Sequence, residues 1–269
     1  MTSEFAIGTV ETSHGDVLAM RGNGTSAELH DGDEVFPGDC IETGNAGIVG
    51  ISFIDGTGFS LGVNGEVGIE RFVYDGASGT GECFLSVATG SFGVSPGRIG
   101  LTNADAMTIA TPVAAISVSG ARVIGQAGPE GSDNSFILVK DDSVYGQVVV
   151  HNGKNTRLLD RNGQTVVIGF RTEPVPDPVI LPSGAFSVRY AAVEAALPAG
   201  RLEQSGMPAG MPANEVELPD HALESHSDTS TISVEQVIAV LRQFASDGQV
   251  PGGSTDNRGA APGAGSRTG

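Results

Sequence analysis

Ser60 stands at the centre of "GFSLG", Gly58–Gly62, which matches the pattern G-x-S-x-G of a serine nucleophile. In that motif the serine sits on a sharp turn between a strand and a helix, and a histidine base with an orienting carboxylate completes the site. The residues after Ser60, "LGVNGEVGIE", mix three glycines with β-branched side chains and predict strands instead of a helix. The sequence therefore predicts that Ser60 is a strand residue and that the chain is not a serine hydrolase.

Histidine is the next residue type that could carry chemistry. None of the five histidines stands in a metal-binding spacing, and they are His14, His30, His151, His221 and His226. The first three are expected in turns or at the end of a strand. The last two lie with Glu224 and Asp228 in an acidic stretch, where loose coordination of a transition metal is the alternative to solvated polar side chains.

Acidic residues cluster around two turns near the N-terminus, at Asp31, Asp33, Glu34 and Asp39. Their carboxylates could attract calcium, but the helix-loop-helix calcium pattern with its twelfth-position glutamate is absent. Turn-forming Asp-Gly pairs explain them instead. The glycine-rich stretch at 76–81 has no lysine after it and opens no helix, which excludes a phosphate loop. The sequence predicts no metal, no cofactor, no catalytic residue and no enzyme.

The charge balance excludes two classes of partner. The chain has 32 acidic against 14 basic residues and a net charge of −18. Phosphate backbones and anionic membrane surfaces need clustered lysine and arginine, so neither nucleic acid nor a membrane surface is expected. No stretch approaches about 18 consecutive apolar residues, so no membrane insertion is predicted. The first residues, "MTSEFAIGTV", lack the basic and apolar regions of a secretory signal peptide.

The two cysteines, Cys40 and Cys83, are compatible with two states. They could form a disulfide if the protein is exported, or they could be two reduced thiols in the core. Their spacing fits no metal site, and reduced core thiols are the preferred alternative.

Short strands separated by glycine turns fill residues 6–170. In "IVGISFID", Val49, Ile51 and Phe53 alternate with Gly50 and Ser52, the period of a half-buried strand. Asn-Gly pairs at 152–153 and 162–163 each stand between apolar runs and predict two successive hairpins. With 40 glycines and no tryptophan, the composition also favours frequent turns. We predict an all-β fold, a sandwich or a short solenoid of twisted strands with turn-rich connections.

The C-terminal third has a different composition. We predict a proline-rich linker over 171–182, a helix over 183–197, an acidic disordered segment over 198–230, an amphipathic helix over 231–248 and a flexible tail over 249–269. Ser233 and Gln236 form a capping box for the second helix. Its apolar stripe consists of Val234, Val237, Ile238, Leu241 and Phe244. This helix either folds back on the β domain or docks in the groove of a partner.

Between Leu29 and Asp75 the sequence contains, in order, two G-D pairs at 32–33 and 38–39, T-G at 43–44, D-G-T at 55–57 and L-G at 61–62. This order of short motifs resembles the FecR domain, named for the ferric-citrate regulator of bacterial iron uptake. A segment like the family's T-P-x-A-x-I-G-I-R-G-T follows later, with Ser119 in place of the arginine and Ala121 in place of the threonine. The family's motif positions are Gly32, Asp33, Gly38, Asp39, Thr43, Gly44, Asp55, Gly56, Thr57, Leu61, Gly62, Thr111, Pro112 and Gly120.

This resemblance implies a bacterial all-β domain that contacts other proteins. Classical members are membrane-anchored regulators with an anti-sigma segment and a spanning helix, which this sequence lacks, so transmembrane signalling is not carried over. The expected function is a non-enzymatic protein-interaction module, extracellular or associated with the cell envelope. The alternative is a soluble cytoplasmic regulator that binds a sigma-type or sensor protein through the C-terminal helix. The protein partner is unidentified, and self-association into a homo-oligomer stays open.

Overall fold

The computed structural model describes residues 5–103, 105–140, 146–153 and 155–199. About half of the described residues lie in strands. In chain order its elements are β1 Gly8–His14, β2 Val17–Met20, β3 Ser26–Glu28, β4 Glu34–Val35, β5 Cys40–Thr43, β6 Ile48–Phe53, β7 Gly58–Leu61, β8 Glu66–Asp75, β9 Thr80–Ser95, α1 Arg98–Thr102, β10 Met107–Ala110, β11 Ala115–Ser119, β12 Arg122–Ala127, β13 Asn134–Val139, β14 Gln147–His151, β15 Thr156–Leu159, β16 Gln164–Ile168, β17 Val179–Ile180 and α2 Ser183–Ala196.

The strands form two layers that share the long strand β9. Sheet A has the order β4-β1-β6-β7-β9-β12-β13-β16-β17. Sheet B has the order β3-β2-β5-β8-β9-β10-β11-β14-β15. Among the described strands, β9 and β10 are the one parallel pair, so the sheets are mixed and almost wholly antiparallel.

Strand β9 passes from one layer to the other at Gly90. Its first half pairs with β8 and β10 in sheet B, and its second half pairs with β7 and β12 in sheet A. Gly90 has a φ of +101°, and a Cβ there would lie 2.5 Å from the Cα of Gly65. Only glycine fits this backbone conformation and this approach, so Gly90 allows one strand to serve both sheets.

A single hydrophobic core fills the space between the layers. Val49, Ile51 and Phe53 of β6 point into it as the alternating pattern predicts, and all three are buried. The ring of Phe53 in sheet A stacks on that of Phe72 in sheet B with centroids 5.0 Å apart. The predicted all-β class is confirmed, and of the two architectures named above the chain adopts the sandwich.

One of the two predicted Asn-Gly hairpins is wrong. The first pair turns β14 back onto β15 within sheet B. The second pair lies in a turn closed by the Gln164 N–H on the Arg161 carbonyl at 3.1 Å, but β15 and β16 belong to different sheets. Strand β16 pairs with β13 instead, because the chain crosses from sheet B to sheet A at this turn. An Asn-Gly turn fixes a local reversal, whereas the strand partners are fixed by long-range pairing.

The proline-rich segment predicted as a linker carries a core residue. Val175 is fully buried, its N–H donates to Oδ1 of Asn155 at 2.6 Å, and Nδ2 of Asn155 donates to its carbonyl at 3.1 Å. Asp177 pairs with Arg157 at 3.0 Å. The segment thus closes one end of the sandwich beside β15.

Helix α2 lies on the outer face of sheet A, where the sequence predicts a helix over 183–197. Two glycines allow this close contact. A Cβ on Gly50 would lie 2.1 Å from the carbonyl oxygen of Ala196, and one on Gly58 would lie 2.5 Å from that of Pro198. Tyr190 adds a hydrogen bond between its hydroxyl and that of Ser135, at 2.8 Å. The glycines of "IVGISF" and "GFSLG" therefore form the surface of sheet A on which α2 packs.

Neither helix of the described part of the chain has the length and apolar composition needed to cross a bilayer. The acidic segment beyond residue 199, the helix predicted over 231–248 and the tail over 249–269 lie outside the described residues.

Candidate functional site

Ser60 serves as a packing residue for helix α2. It lies on β7, is fully buried, and donates its hydroxyl proton to the carbonyl oxygen of Val193 at 2.9 Å. That carbonyl belongs to the last turn of the helix, where backbone acceptors lack partners within the helix. The hydroxyl is therefore engaged by the fold, and no described histidine contacts it.

Asp55 organises the turn between β6 and β7. Its buried carboxylate accepts hydrogen bonds from the N–H of Thr57 at 2.9 Å, the hydroxyl of Thr57 at 2.8 Å and the N–H of Ile99 at 3.2 Å. Thr57 in turn accepts the N–H of Gly97 at 3.0 Å. This network ties the D-G-T turn of sheet A to the start of α1, so these motif residues stabilise the fold.

Asp39 organises a second turn. Its carboxylate accepts the N–H of Phe36 at 2.9 Å and pairs with the guanidinium of Arg21 at 2.5 Å. Arg21 also lies over the ring of Phe36, 5.0 Å from its centroid. Asp33, one turn earlier, accepts the N–H of His30 at 2.7 Å. Asp33 and Asp39, two of the acids that could have suggested calcium, are thus engaged in separate turns.

The remaining motif positions also lie in turns or in the core. The Thr43 hydroxyl donates to the carbonyl of Gly62 at 2.6 Å and accepts the N–H of Gly65 at 2.8 Å. The Thr111 hydroxyl, beside Pro112, donates to the carbonyl of Ala114 at 2.9 Å. The glycines with positive φ among these positions are Gly32, Gly38, Gly56 and Gly120. Leu61 is a core residue and Gly44 belongs to the turn after β5. The motif residues are spread along the sandwich and are not brought together in one site.

The described histidines stand apart from one another. His14 and His30 are exposed, and Nδ1 of His151 lies 3.0 Å from the hydroxyl of Thr156. Within the described ranges, no three His, Cys, Asp or Glu side chains are placed to hold a metal ion. His221 and His226 lie beyond the described residues, as do Val234, Val237, Ile238, Leu241 and Phe244.

The two cysteines lie on opposite faces of sheet B. Cys40 on β5 faces outward and Cys83 on β9 faces the core, and both are free thiols. Strand β8 separates β5 from β9, and the two cysteines are opposite different residues of β8, Gly68 and Phe72, so their Cα atoms are at least about 10 Å apart. A disulfide needs Cα atoms within about 7 Å, so the folded chain cannot form one between these residues.

We predict that neither thiol reacts rapidly in the native protein. Burial, and then Glu66, Glu42 and Glu70, raise the pKa of Cys40 to about 12, while burial raises the pKa of Cys83 further. At pH 8 the Cys40 thiolate is then a fraction of roughly one in ten thousand. Titration with Ellman's reagent should find no fast thiol in the native protein and two in denaturant.

The single variants Cys40→Ser and Cys83→Ser should each show one thiol in denaturant. A native protein of oxidised mass, two hydrogens lighter, would contradict this placement of the cysteines.

A wide polar cleft lies where the hairpin between β8 and β9 approaches β1 and β6. It has a volume of about 800 Å³, and its lining includes Glu11, Tyr74 and Arg98. Its lining contains no histidine and no cysteine.

Three of the four edges of the two sheets are protected. Strand β4 has only two residues, and Arg21 donates to the Glu34 carbonyl at 3.1 Å. Strand β15 is covered by the segment around Val175. Strand β17 has two residues, with prolines at 176, 178 and 182 around it. Short strands, prolines and covering segments are the usual means of preventing an edge from pairing with another chain.

The fourth edge, β3 of sheet B, is also short, with three residues, but neither prolines nor a covering segment protect it. In its register with β2, Ala27 is opposite Ala19, and the Leu29 N–H donates to the Val17 carbonyl at 2.9 Å. In an antiparallel pair the hydrogen-bonded positions alternate, so the N–H and C=O groups of Ser26 and Glu28 point away from β2. No described residue pairs with that side of β3. The strand contains no proline, no lysine and no bulge.

Apolar side chains lie directly beside this open edge. Leu18 and Met20 of β2 project from the outer face of sheet B, with 46% and 51% of their surface exposed. In the register of the sheet, Leu18 is opposite Glu28 and Met20 is opposite Ser26. Open backbone groups and exposed aliphatic side chains therefore occur together. We define Ser26, Glu28, Leu18 and Met20 as the β3 edge.

Acidic residues continue this surface inward across sheet B. Glu42 of β5 is opposite Leu18, and Glu66 of β8 is opposite Glu42. Partial burial, and then the charge of Glu42, raise the pKa of Glu66 above its usual range. Because the folded-state pKa is the higher one, protonated Glu66 favours the fold, and this contribution is lost as the pH rises through that pKa. The outer face thus holds neighbouring carboxylates that repel each other.

One sequence feature, which is not part of the motifs above, could have indicated this edge. In "VLAM", all four side chains of β2 are apolar, although the strand buries only Val17 and Ala19. Alternating strands at a sandwich surface usually place polar residues outward. An apolar outward pair beside a very short strand is therefore the departure that could have indicated the site.

Comparison with known proteins finds no matching family model and no matching curated protein. Among solved structures, the chain is similar to a crystal structure described as "a putative anti-sigma factor from Parabacteroides distasonis ATCC 8503". The identity is 10% and the TM-score 0.41, over 55% of this chain and 63% of that one. The chain thus spans less than two thirds of the protein it matches, and a similarity at this level supports no conclusion about function.

Proposed function

We propose that this chain is a non-enzymatic protein-interaction module that binds an extended segment of a partner as an added strand on β3. The observation that carries the proposal is the open β3 edge. It has two residues whose backbone donors and acceptors face outward, and among the four terminal strands of the two sheets it is the one with neither neighbouring prolines nor a covering segment. Strand addition of this kind obtains affinity from main-chain hydrogen bonds and specificity from the neighbouring side chains.

The neighbouring side chains favour binding over accidental exposure. An added strand would lie two strand spacings, about 10 Å, from Leu18 and Met20, so that long side chains on its outward face would reach them by leaning across β3. Exposed aliphatic groups beside an unpaired edge promote aggregation unless they are used, and native folds usually remove them. Sheet A shows this protection at both of its edges.

The engagement of Ser60 and Asp55 by the fold supports a binding function over catalysis. Ser60 donates to α2, and all three bonds of the Asp55 carboxylate serve the turn and α1. Neither side chain is left with the adjacent base that nucleophilic catalysis requires.

The test is selection from a displayed library of random 15-residue peptides against the full chain, followed by comparison of two variants at one position. Ser26→Pro removes the outward N–H without touching a bond to β2, whereas Ser26→Thr keeps the N–H. We expect selected peptides to bind the wild type and Ser26→Thr alike. We expect about tenfold weaker binding to Ser26→Pro, because a main-chain hydrogen bond is lost and the proline ring blocks the edge.

Both variants should keep the unfolding midpoint of the wild type, since position 26 is exposed and its N–H is free. Peptides that bind Ser26→Pro as tightly as Ser26→Thr would contradict the proposal. So would a selection that enriches no peptide.

A further inference from the structure

We propose that the strand bound by β3 is basic, with a lysine or arginine beside Glu28 and an aliphatic side chain beside Ser26 on its outward face. This inference rests on the proposed function and specifies the partner's chemistry. The occupant is a segment of another protein, and a second copy of this chain is an outcome that the test distinguishes.

The expected alternation of a basic and an aliphatic side chain on the bound strand follows from two rows of side chains that cross sheet B. One row consists of Glu28, Leu18, Glu42 and Glu66, and it is acidic apart from Leu18. The other row consists of Ser26, Met20, Cys40 and Gly68, and it carries no charge. An added strand continues both rows, because its residues fall opposite those of β3. The residue of the added strand that falls in the first row lies next to Glu28. The residue that falls in the second row lies next to Ser26, with Met20 one strand further in.

The cations near the first row do not satisfy its carboxylates. Arg21 is engaged by Asp39 and by the ring of Phe36. His30 lies 3.7 Å from Glu28 and 3.7 Å from Asp33, and it carries charge only when protonated. Within the described residues no lysine or arginine pairs with Glu28, Glu42 or Glu66. A long basic side chain from an added strand would lie beside Glu28, the outermost acid of this row.

The same charges disfavour self-pairing. A second copy at β3 would bring together two chains that each carry a net charge of −18. The complementary charge of a basic segment removes this repulsion, so a heterologous partner fits the edge better than a second copy.

The probes are three synthetic nine-residue peptides with threonine on one face of the strand. The other face alternates valine with lysine, with glutamine or with glutamate. Titrations followed by NMR should show the lysine peptide binding about tenfold more tightly than the glutamate peptide at low salt. The difference should shrink as salt is added, since exposed charges are screened.

Charge variants locate the effect. Glu28→Lys should reverse the preference between the lysine and glutamate peptides, and Glu28→Gln should reduce it. Glu11→Lys is the matched control, because it changes the net charge equally at an exposed position on β1 of sheet A. The control should leave the preference unchanged.

Four other outcomes would contradict either the basic character of the bound strand or the proposed function. If Glu11→Lys acts like Glu28→Lys, the preference comes from overall charge and the inference is wrong. If the glutamine peptide binds as well as the lysine peptide but Ser26→Pro still abolishes binding, the inference fails and the proposed function stands. If sedimentation shows a wild-type dimer that Ser26→Pro dissociates, the occupant is a second copy and the inference is wrong. Binding that is indifferent to Ser26→Pro overturns the proposed function itself.

Discussion

Gly50→Ala should lower the free energy of unfolding by about 2–3 kcal/mol, since one added methyl group would overpack a close contact. The Cβ would lie 2.1 Å from the carbonyl oxygen of Ala196, and that atom belongs to backbone that cannot rotate away as a side chain can. To relieve the clash, the end of α2 must lift from sheet A, which also stretches the hydrogen bond between Ser60 and Val193. For a domain of this size the loss corresponds to a drop in Tm of about 5–10 °C.

The local effect can be measured by trypsin cleavage after Arg189, an exposed residue in the middle of α2. Cleavage requires the helix to open, so it should be slow in the wild type and faster in Gly50→Ala. Gly22→Ala is the matched control, because the nearest heavy atoms to a Cβ there lie 4.0 Å away. If Gly50→Ala has the same Tm and cleavage rate as Gly22→Ala, then α2 does not pack against sheet A at Gly50.

Asp55→Ala should destabilise the protein by about 3–5 kcal/mol, among the largest effects of a single polar substitution. The change removes an acceptor of three hydrogen bonds and leaves the N–H groups of Thr57 and Ile99 unsatisfied in a buried position. Each such group loses its protein partner without gaining water. Urea denaturation should show a lower midpoint with an unchanged slope.

Asp75→Ala is the matched control for this network. Asp75 also precedes a glycine and accepts the N–H of Ala77 at 3.0 Å and the hydroxyl of Ser78 at 2.7 Å, but its turn is exposed. Water replaces the lost acceptor there, so the midpoint should stay near that of the wild type. Equal effects of the two substitutions would show that burial of Asp55 is not the source of its contribution.

Short-range sequence patterns were sufficient to predict the strands and most turns. Val49, Ile51 and Phe53 alternate with small residues, and their strand faces the core as that period requires. The Asn-Gly pair at 152–153 reverses the chain within one sheet, as such pairs do in hairpins. These features depend on residues close together in the sequence, which is why the sequence alone was sufficient for them.

Features that depend on distant residues were not predicted. The sequence shows Gly50 and Ser60 opposite core residues, but the helix that covers them comes more than a hundred residues later, and Ser60 bonds to Val193 across 133 positions. The turn at 162–163 resembles a hairpin turn until the partner of β16 is known.

The β3 edge was not predicted from the sequence for a related reason. With three residues, β3 is too short for a periodic pattern, and its importance comes from what does not pair with it. The outward direction of the Ser26 and Glu28 backbone groups follows only from the register with β2. Candidate sites of this kind are visible only when the whole sheet has been assembled.

The most direct test is residue-resolved amide hydrogen exchange on the full chain, alone and with a selected peptide. In the free protein we predict rapid exchange at Ser26 and Glu28 and slow exchange at Ala27, whose N–H points at β2. With the peptide bound, the amides of Ser26 and Glu28 should become protected while Ala27 changes little. Protection of Ser26 and Glu28 already present in the free chain, or binding that leaves both exchanging rapidly, would contradict an open β3 edge that accepts a partner strand.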